Sequence, residues 1–274
     1  MDILYFTIAC LSVGALAGFL GGMLGIGGGV VIVPALILLF DRFGLFMPAD
    51  GLDNTSTLIA VGTSLATIIF TSAAAARAQI KARMVDWPII RTWTIPLMVG
   101  SFSAGYVAAL MSMPLLRTLI AAFLLFVALV MLASWKPPAQ RRLPGTTASA
   151  LIGGGAGLVS GIAGIGGGNV IVPTLVYLST PVHRATATSS TLGFPVALAG
   201  TLGYISRGWA ETSFSDGALG YVYLPAFAAL ITTTILCAPL GVRAAHKLPA
   251  LTLRKLFGAL LFVVALRMLY TAYF

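Results

Sequence analysis

GIGGGVVIVP occupies residues 25–34, and GIGGGNVIVP occupies residues 164–173. The likeness extends outward from this element. Residues 14–36 and 153–175 are identical at 14 of 23 positions without a gap, and residues 117–132 and 254–269 at 9 of 16. Two matched blocks in the same order mark an internal duplication. The halves run over 1–140 and 148–274, joined by a linker at 141–147 within a polar, Pro-rich region that opens with KPPAQRRLPG (136–145).

Composition places both halves in a membrane. Of the 274 residues 59% are hydrophobic and 8% charged, against about 25% charged in an average protein. Apolar runs long enough to cross a bilayer recur along the chain. They do not alternate as barrel strands would. Each half reads as five apolar segments: 3–24, 30–40, 55–76, 92–111 and 116–135, then 148–165, 169–180, 186–205, 218–240 and 254–273. Five is odd, so the second half should enter the membrane from the side opposite to the first. With a cytoplasmic linker, twelve basic residues fall in inner loops (Arg77, Lys81, Arg83, Arg91, Lys136, Arg141, Arg142, Arg184, Arg243, Lys247, Arg254 and Lys255) and three in outer loops (Arg42, Arg117 and Arg207). Acids take the other side, Asp86 excepted: Asp2, Asp41, Asp50, Asp53, Glu211 and Asp216 fall outside. That is the positive-inside pattern, and it puts both termini outside. The net charge of +9 is thereby read as loop charge facing lipid headgroups, with no nucleic-acid partner. The expected fold class is an all-α polytopic membrane protein of two inverted repeats, each holding a Gly-broken short helix or a re-entrant hairpin.

Glycine runs interrupt helices, since each interior Gly costs about 1 kcal/mol relative to Ala. Irregular backbone at membrane depth survives only where protein or water covers it. Gly27, Gly28 and Gly29, and Gly166, Gly167 and Gly168, would leave N–H groups free at the start of a following short helix, a place that favours an anion. Pro34 and Pro173 lie several residues further on, as helix-break or gating positions. Gly14, Gly18 and Gly22, like Gly153, Gly157 and Gly161, recur at spacing four and read as close-packing faces. Thr63–Ser64 and Thr188–Ser189 recur in the third segment of each half. Their hydroxyls can donate to an anion or bond back to the preceding turn. Asn169, opposite Val30 in the repeat, offers an amide donor. Arg267 lies inside the last segment and either meets the anion or snorkels to the surface. Cys10 and Cys237, both within apolar runs, form no metal or redox motif. The sequence presents no catalytic cluster, no metal site and no cofactor element. It reads as a transporter and not an enzyme.

Two GxGGG-x4-P elements, each followed by a Thr-Ser helix, resemble the sulfite exporter TauE/SafE family, also described as toluenesulfonate uptake permease-like proteins. The residues concerned are 25–34, 62–64, 164–173 and 188–189. The resemblance implies a multi-pass inner-membrane transporter, an exporter of sulfite, sulfoacetate or other organosulfonates, that alternates access around a central anion site. Many members carry a His near residues 73–87, where this chain has none. A transporter for another small anion or an amino acid, and a non-transporting membrane assembly partner, are the alternatives. The small-residue faces are compatible with a homodimer.

Overall fold

A computed structural model describes residues 2–24, 27–46, 54–133, 145–178, 180–212, 217–245 and 250–273. The linker ahead of Gly145, Gly25 of the first glycine run, and the loop residues Asp50, Asp53, Lys136, Arg141, Arg142, Asp216, His246 and Lys247 lie outside the described residues. Ten helices follow one another there: α1 Asp2–Leu24, α2 Gly29–Phe43, α3 Thr55–Lys81, α4 Trp87–Ala109, α5 Met113–Leu132, α6 Thr146–Ile162, α7 Gly168–Tyr177, α8 Val182–Gly208, α9 Leu224–Ala245 and α10 Ala250–Tyr273. Each expected apolar segment overlaps one of them.

One segment differs from its expectation. Residues 218–240 do not form a single helix; the short strands Ala218–Leu219 (β1) and Val222–Tyr223 (β2) pair antiparallel before α9 begins. Gly217 and Gly220 have φ of 74° and 54°, a region glycine enters without steric cost and helices do not use. Hydropathy registers the apolar content of this stretch but not its turn chemistry.

Among the described residues, five helical stretches are long and apolar enough to cross a membrane: 4–23, 55–81, 113–132, 224–241 and 255–272. Apolar side chains line the outside of the molecule. Ile95 and Leu151 are 70% and 75% exposed, as suits a protein whose solvent is lipid. α2 and α7, at 15 and 10 residues, are about 22 and 15 Å long, well short of a hydrocarbon core of about 30 Å.

The middle of the molecule is α3 against α8. Residues 56–68 of α3 are buried without interruption, so this helix meets protein on every side. The glycines fix how the helices run. A Cβ at Gly14, Gly18 and Gly22 would strike α9 successively at Leu230, Thr234 and Ala238, so α1 and α9 are parallel. Gly157 and Gly161 meet α4 at Leu97 and then Ser101, so α6 and α4 are parallel too. Both spaced-glycine rows therefore serve close packing. Gly62 abuts Tyr204, Gly200 abuts Leu65, and Gly193 abuts Ser72, so α3 and α8 are antiparallel. Each half supplies the packing surface for the other half's first helix.

Candidate functional site

The two glycine runs take up nearly the same backbone. Gly28 caps α2 at φ 79°, ψ −14°, and Gly167 caps α7 at φ 80°, ψ −17°. In this left-handed conformation a side chain would be strained. At Gly28 a Cβ would also come within 2.7 Å of Ala17 O. Val31 N–H donates to Gly28 O at 3.0 Å, and Val170 N–H to Gly167 O at 3.0 Å. The N–H groups just before them, at the first residues of each helix, have no acceptor within the helix. The two turns touch: a Cβ at Gly29 would lie 2.7 Å from Gly164 O. Both helices thus start from one place near the middle of the protein. Helix structure continues through Pro34 and Pro173, so the interruption lies at the glycines, and the prolines instead release the carbonyls of Val30 and Asn169.

A cavity of about 470 Å³ opens beside the turns. Gly27 lines it from the first, Gly166 and Gly168 from the second, and Ser189 and Ser190 from α8. Its α3 wall carries Ile68, Thr71, Ser72, Ala75 and Gln79, and its far wall belongs to α1 and α9. It runs toward Gly22, Gln79 and Pro239, near the C-terminal ends of α1, α3 and α9. The exposed Arg77, Lys81, Arg83 and Arg243 stand at that end of the protein. At the other end, Phe6, Phe40, Phe43, Phe46 and Tyr223 pack with ring centroids 5.2–6.1 Å apart. Between α4 and α8, Ser101 donates to Val196 O at 2.8 Å, and a Cβ at Gly105 would lie 2.9 Å from Gly203 O.

The hydroxyls expected at the site divide by partner. Thr63 Oγ1 accepts the N–H of Tyr223 at 2.9 Å, and Thr188 Oγ1 accepts that of Asp86 at 2.9 Å. These equivalent threonines hold the starts of α9 and α4, the equivalent helices of opposite halves. Ser64 donates to Gly164 O at 2.9 Å and braces the second glycine turn. Ser189 is 1% exposed, faces the cavity and has no hydrogen-bond partner. Ser160 Oγ and Asn169 Nδ2 are also unpartnered, but neither residue lines this cavity. Asn169 faces a separate, mostly apolar hollow of about 460 Å³ with Phe123, Phe126, Pro173 and Tyr177. Arg267 is exposed on α10 and does not line the cavity.

Sequence reading missed two features. Thr71 and Ser72 line the cavity, eight residues beyond Thr63 and Ser64. The signal was there in the spacing, because 68, 71, 72, 75 and 79 fall on one helical face. Arg117 is not a loop residue. It is 2% exposed in α5 and makes a two-pronged pair with Asp41 of α2, at 2.9 and 2.7 Å, while Nε donates to Thr57 Oγ1 at 3.2 Å. Nearby, Asn54 donates to Ala108 O at 2.8 Å. Asp41 likewise belongs to a helix, and this network fixes the end of α2 distant from the glycine turn.

Comparison with known proteins agrees with this architecture. A protein of Haemophilus influenzae described as a probable membrane transporter protein is 35% identical over 264 residues, covering 96% of this chain and 98% of the relative. One of Methanocaldococcus jannaschii, described in the same words, is 31% identical and covers 94% and 93%. A third such protein, from Bacillus subtilis, is 28% identical over 71% of this chain and 77% of its own length. Residues 10–268 match the family described as sulfite exporter TauE/SafE. With that match spanning nearly the whole chain and helices built for lipid, this membrane protein belongs to the TauE/SafE family of transporters.

Proposed function

We propose that the protein is a secondary transporter, acting as an exporter, of small sulfur-containing anions such as sulfite, sulfoacetate and other organosulfonates. The observation that carries the reading is the cavity where glycine turns from both halves meet an unpartnered Ser189. Backbone N–H groups and a hydroxyl suit the oxygens of a sulfonate or sulfite. Gly27, Gly166, Gly168 and Ser189 are the contact residues. Gly28, Gly29 and Gly167 shape the turns, and Thr63, Ser64 and Thr188 position the elements around them. Arg267 takes no part in this site.

The halves act as inverted repeats. The antiparallel run of α3 and α8 and the matched pairings of α1 with α9 and α6 with α4 support this, as does the loop-charge asymmetry. The chain then crosses the inner membrane several times with both termini outside, and the cavity faces the cytoplasm. Exchange of the two halves' roles would close that mouth and open the seam between α4 and α8, giving alternating access around a fixed site. With a negative interior, each negative charge leaving gains about 2.3 kcal/mol per 100 mV, so the membrane potential can drive export. Basic residues at the mouth raise the local anion concentration. Flux of sulfite and sulfoacetate is measured in proteoliposomes with the potential clamped at either sign. Flux that reverses its preferred direction with the potential is expected. No flux of either anion overturns the substrate assignment, and flux indifferent to the potential overturns the electrogenic step.

A further inference from the structure

We infer that Tyr204 latches the outer seam, that Gln79 is its weaker reciprocal at the cytoplasmic mouth, and that this inequality makes the empty protein rest with that mouth open. The inference rests on the alternating access of inverted halves proposed above.

The repeat gives each helix a counterpart. Thr63–Ser64 aligns with Thr188–Ser189, so Ala75, Ala78 and Gln79 of α3 correspond to Gly200, Gly203 and Tyr204 of α8. Gly22 of α1 corresponds to Gly161 of α6. Glycine contacts set the register of α9 against α4: Gly22 meets Ala238, and Gly161 meets Ser101. Ala238 and Pro239 therefore correspond to Ser101 and Phe102.

Counterparts that touch at the outer end stand apart at the inner end. Outside, a Cβ on Gly200 would lie 2.6 Å from Ser101 Oγ, and one on Gly203 would strike the carbonyl of Phe102. Tyr204 is fully buried, and its hydroxyl donates to Gly161 O at 3.3 Å. Inside, Gly22, Ala75, Ala78, Gln79, Ala238 and Pro239 all line the cavity. The Gln79 side chain makes no hydrogen bond among the described residues. The cavity is the parted form of the contact that is made outside.

Closing the mouth would bring Gln79 to Gly22 O, the counterpart of Gly161 O, and would release Tyr204. The two closed seams are not equally good. Glycine at a helix contact lets the backbones approach closely, and Gly200 and Gly203 use this outside. Ala75 and Ala78 hold α3 further from α9 by a methyl group each, so a closed inner seam gains less dispersion. Tyr204 also meets the ring of Tyr221 edge-on at 6.4 Å. Gln79 instead gives up water and more side-chain freedom on closing. Both differences favour the form with the outer seam closed. An empty carrier that resets toward the cytoplasm is ready for loading there, as export requires.

The test reads how often the outer seam opens. Ala197, buried on α8, is the counterpart of Ser72 in the cavity lining. It is changed to Cys as a reporter in the full-length protein, with Cys10 and Cys237 changed to Ala. Right-side-out membrane vesicles are treated with a cationic, membrane-impermeant methanethiosulfonate, and the modification rate tracks the population open to the outside. Tyr204→Phe keeps the ring and loses one hydrogen bond, so it should raise the rate about 2- to 10-fold. Ala78→Gly lets the mouth close more tightly and should raise it as well. Gln79→Ala removes the inner latch and should lower it, a sign that general loosening of the protein does not give. A rate unchanged or lowered by Tyr204→Phe, a rate unchanged or raised by Gln79→Ala, or no modification in any variant overturns the latch. A rate unchanged or lowered by Ala78→Gly overturns the packing bias. The expected rates together with no flux of sulfite or sulfoacetate in proteoliposomes overturn the substrate assignment and leave the latch standing.

Discussion

Ser189→Ala should separate binding from stability. The wild-type hydroxyl is buried to 1% exposure, faces the cavity and has no partner. An unsatisfied buried polar group costs about 1–3 kcal/mol, so removing it should leave the empty protein equally stable or more so. Bound substrate changes the sign. A hydrogen bond to a charged group is worth about 1.5–3 kcal/mol, which corresponds to an affinity loss of roughly 10- to 150-fold. Ser64→Ala is the control, because Ser64 already donates to Gly164 O at 2.9 Å. Its loss strands a buried carbonyl and should lower stability by about 1–3 kcal/mol. Thermal unfolding in detergent, with and without methanesulfonate, reads both quantities. The reasoning fails if Ser189→Ala melts early in the absence of ligand as Ser64→Ala does, or if its ligand-induced shift equals the wild type's.

Three further substitutions probe other parts of the argument. Arg117→Ala should destabilise the protein by about 3 kcal/mol or more, because it leaves Asp41 without its two-pronged partner; chemical unfolding in micelles measures it, and a loss near zero would contradict the buried pair. Gly28→Ala should cost at least about 1–2 kcal/mol from the left-handed backbone alone, with the contact to Ala17 O added. An Ala variant that melts with the wild type would mean the turn is not held at φ 79°. Arg267→Gln, on the exposed face of α10, should leave stability within about 0.5 kcal/mol and flux unchanged; a large drop in flux would return Arg267 to the site.

Much of the fold could be read because a membrane makes hydropathy speak for length and the duplication repeats the message. Each expected segment found its helix. The glycine runs were legible for a related reason: three glycines in a row are costly in a helix, so their presence twice marks a place where the backbone must turn. The misread parts depend on partners that hydropathy does not report. Residues 218–223 are apolar enough for a helix, and only the positive φ of Gly217 and Gly220 makes them a hairpin. Arg117 looks like a loop charge until α2 brings Asp41 to it. Thr63, Ser64, Thr188 and Ser189 look equivalent in sequence, yet long-range contacts decide that the first three serve protein groups and the fourth faces the cavity.

The exchange of packing surfaces between halves bears on how the chain is made. Of the ten helices α1 leaves the ribosome first, and the face carrying Gly14, Gly18 and Gly22 fits α9, which begins at Leu224. Until most of the polypeptide has been synthesised, that glycine face has only lipid or the insertion machinery beside it. α4 waits a shorter time for α6. The first half released alone would therefore lack a completed core, and early truncations should be cleared by membrane proteases instead of accumulating as a working half. Quality control can then read completeness from a single event, the arrival of α9 against α1.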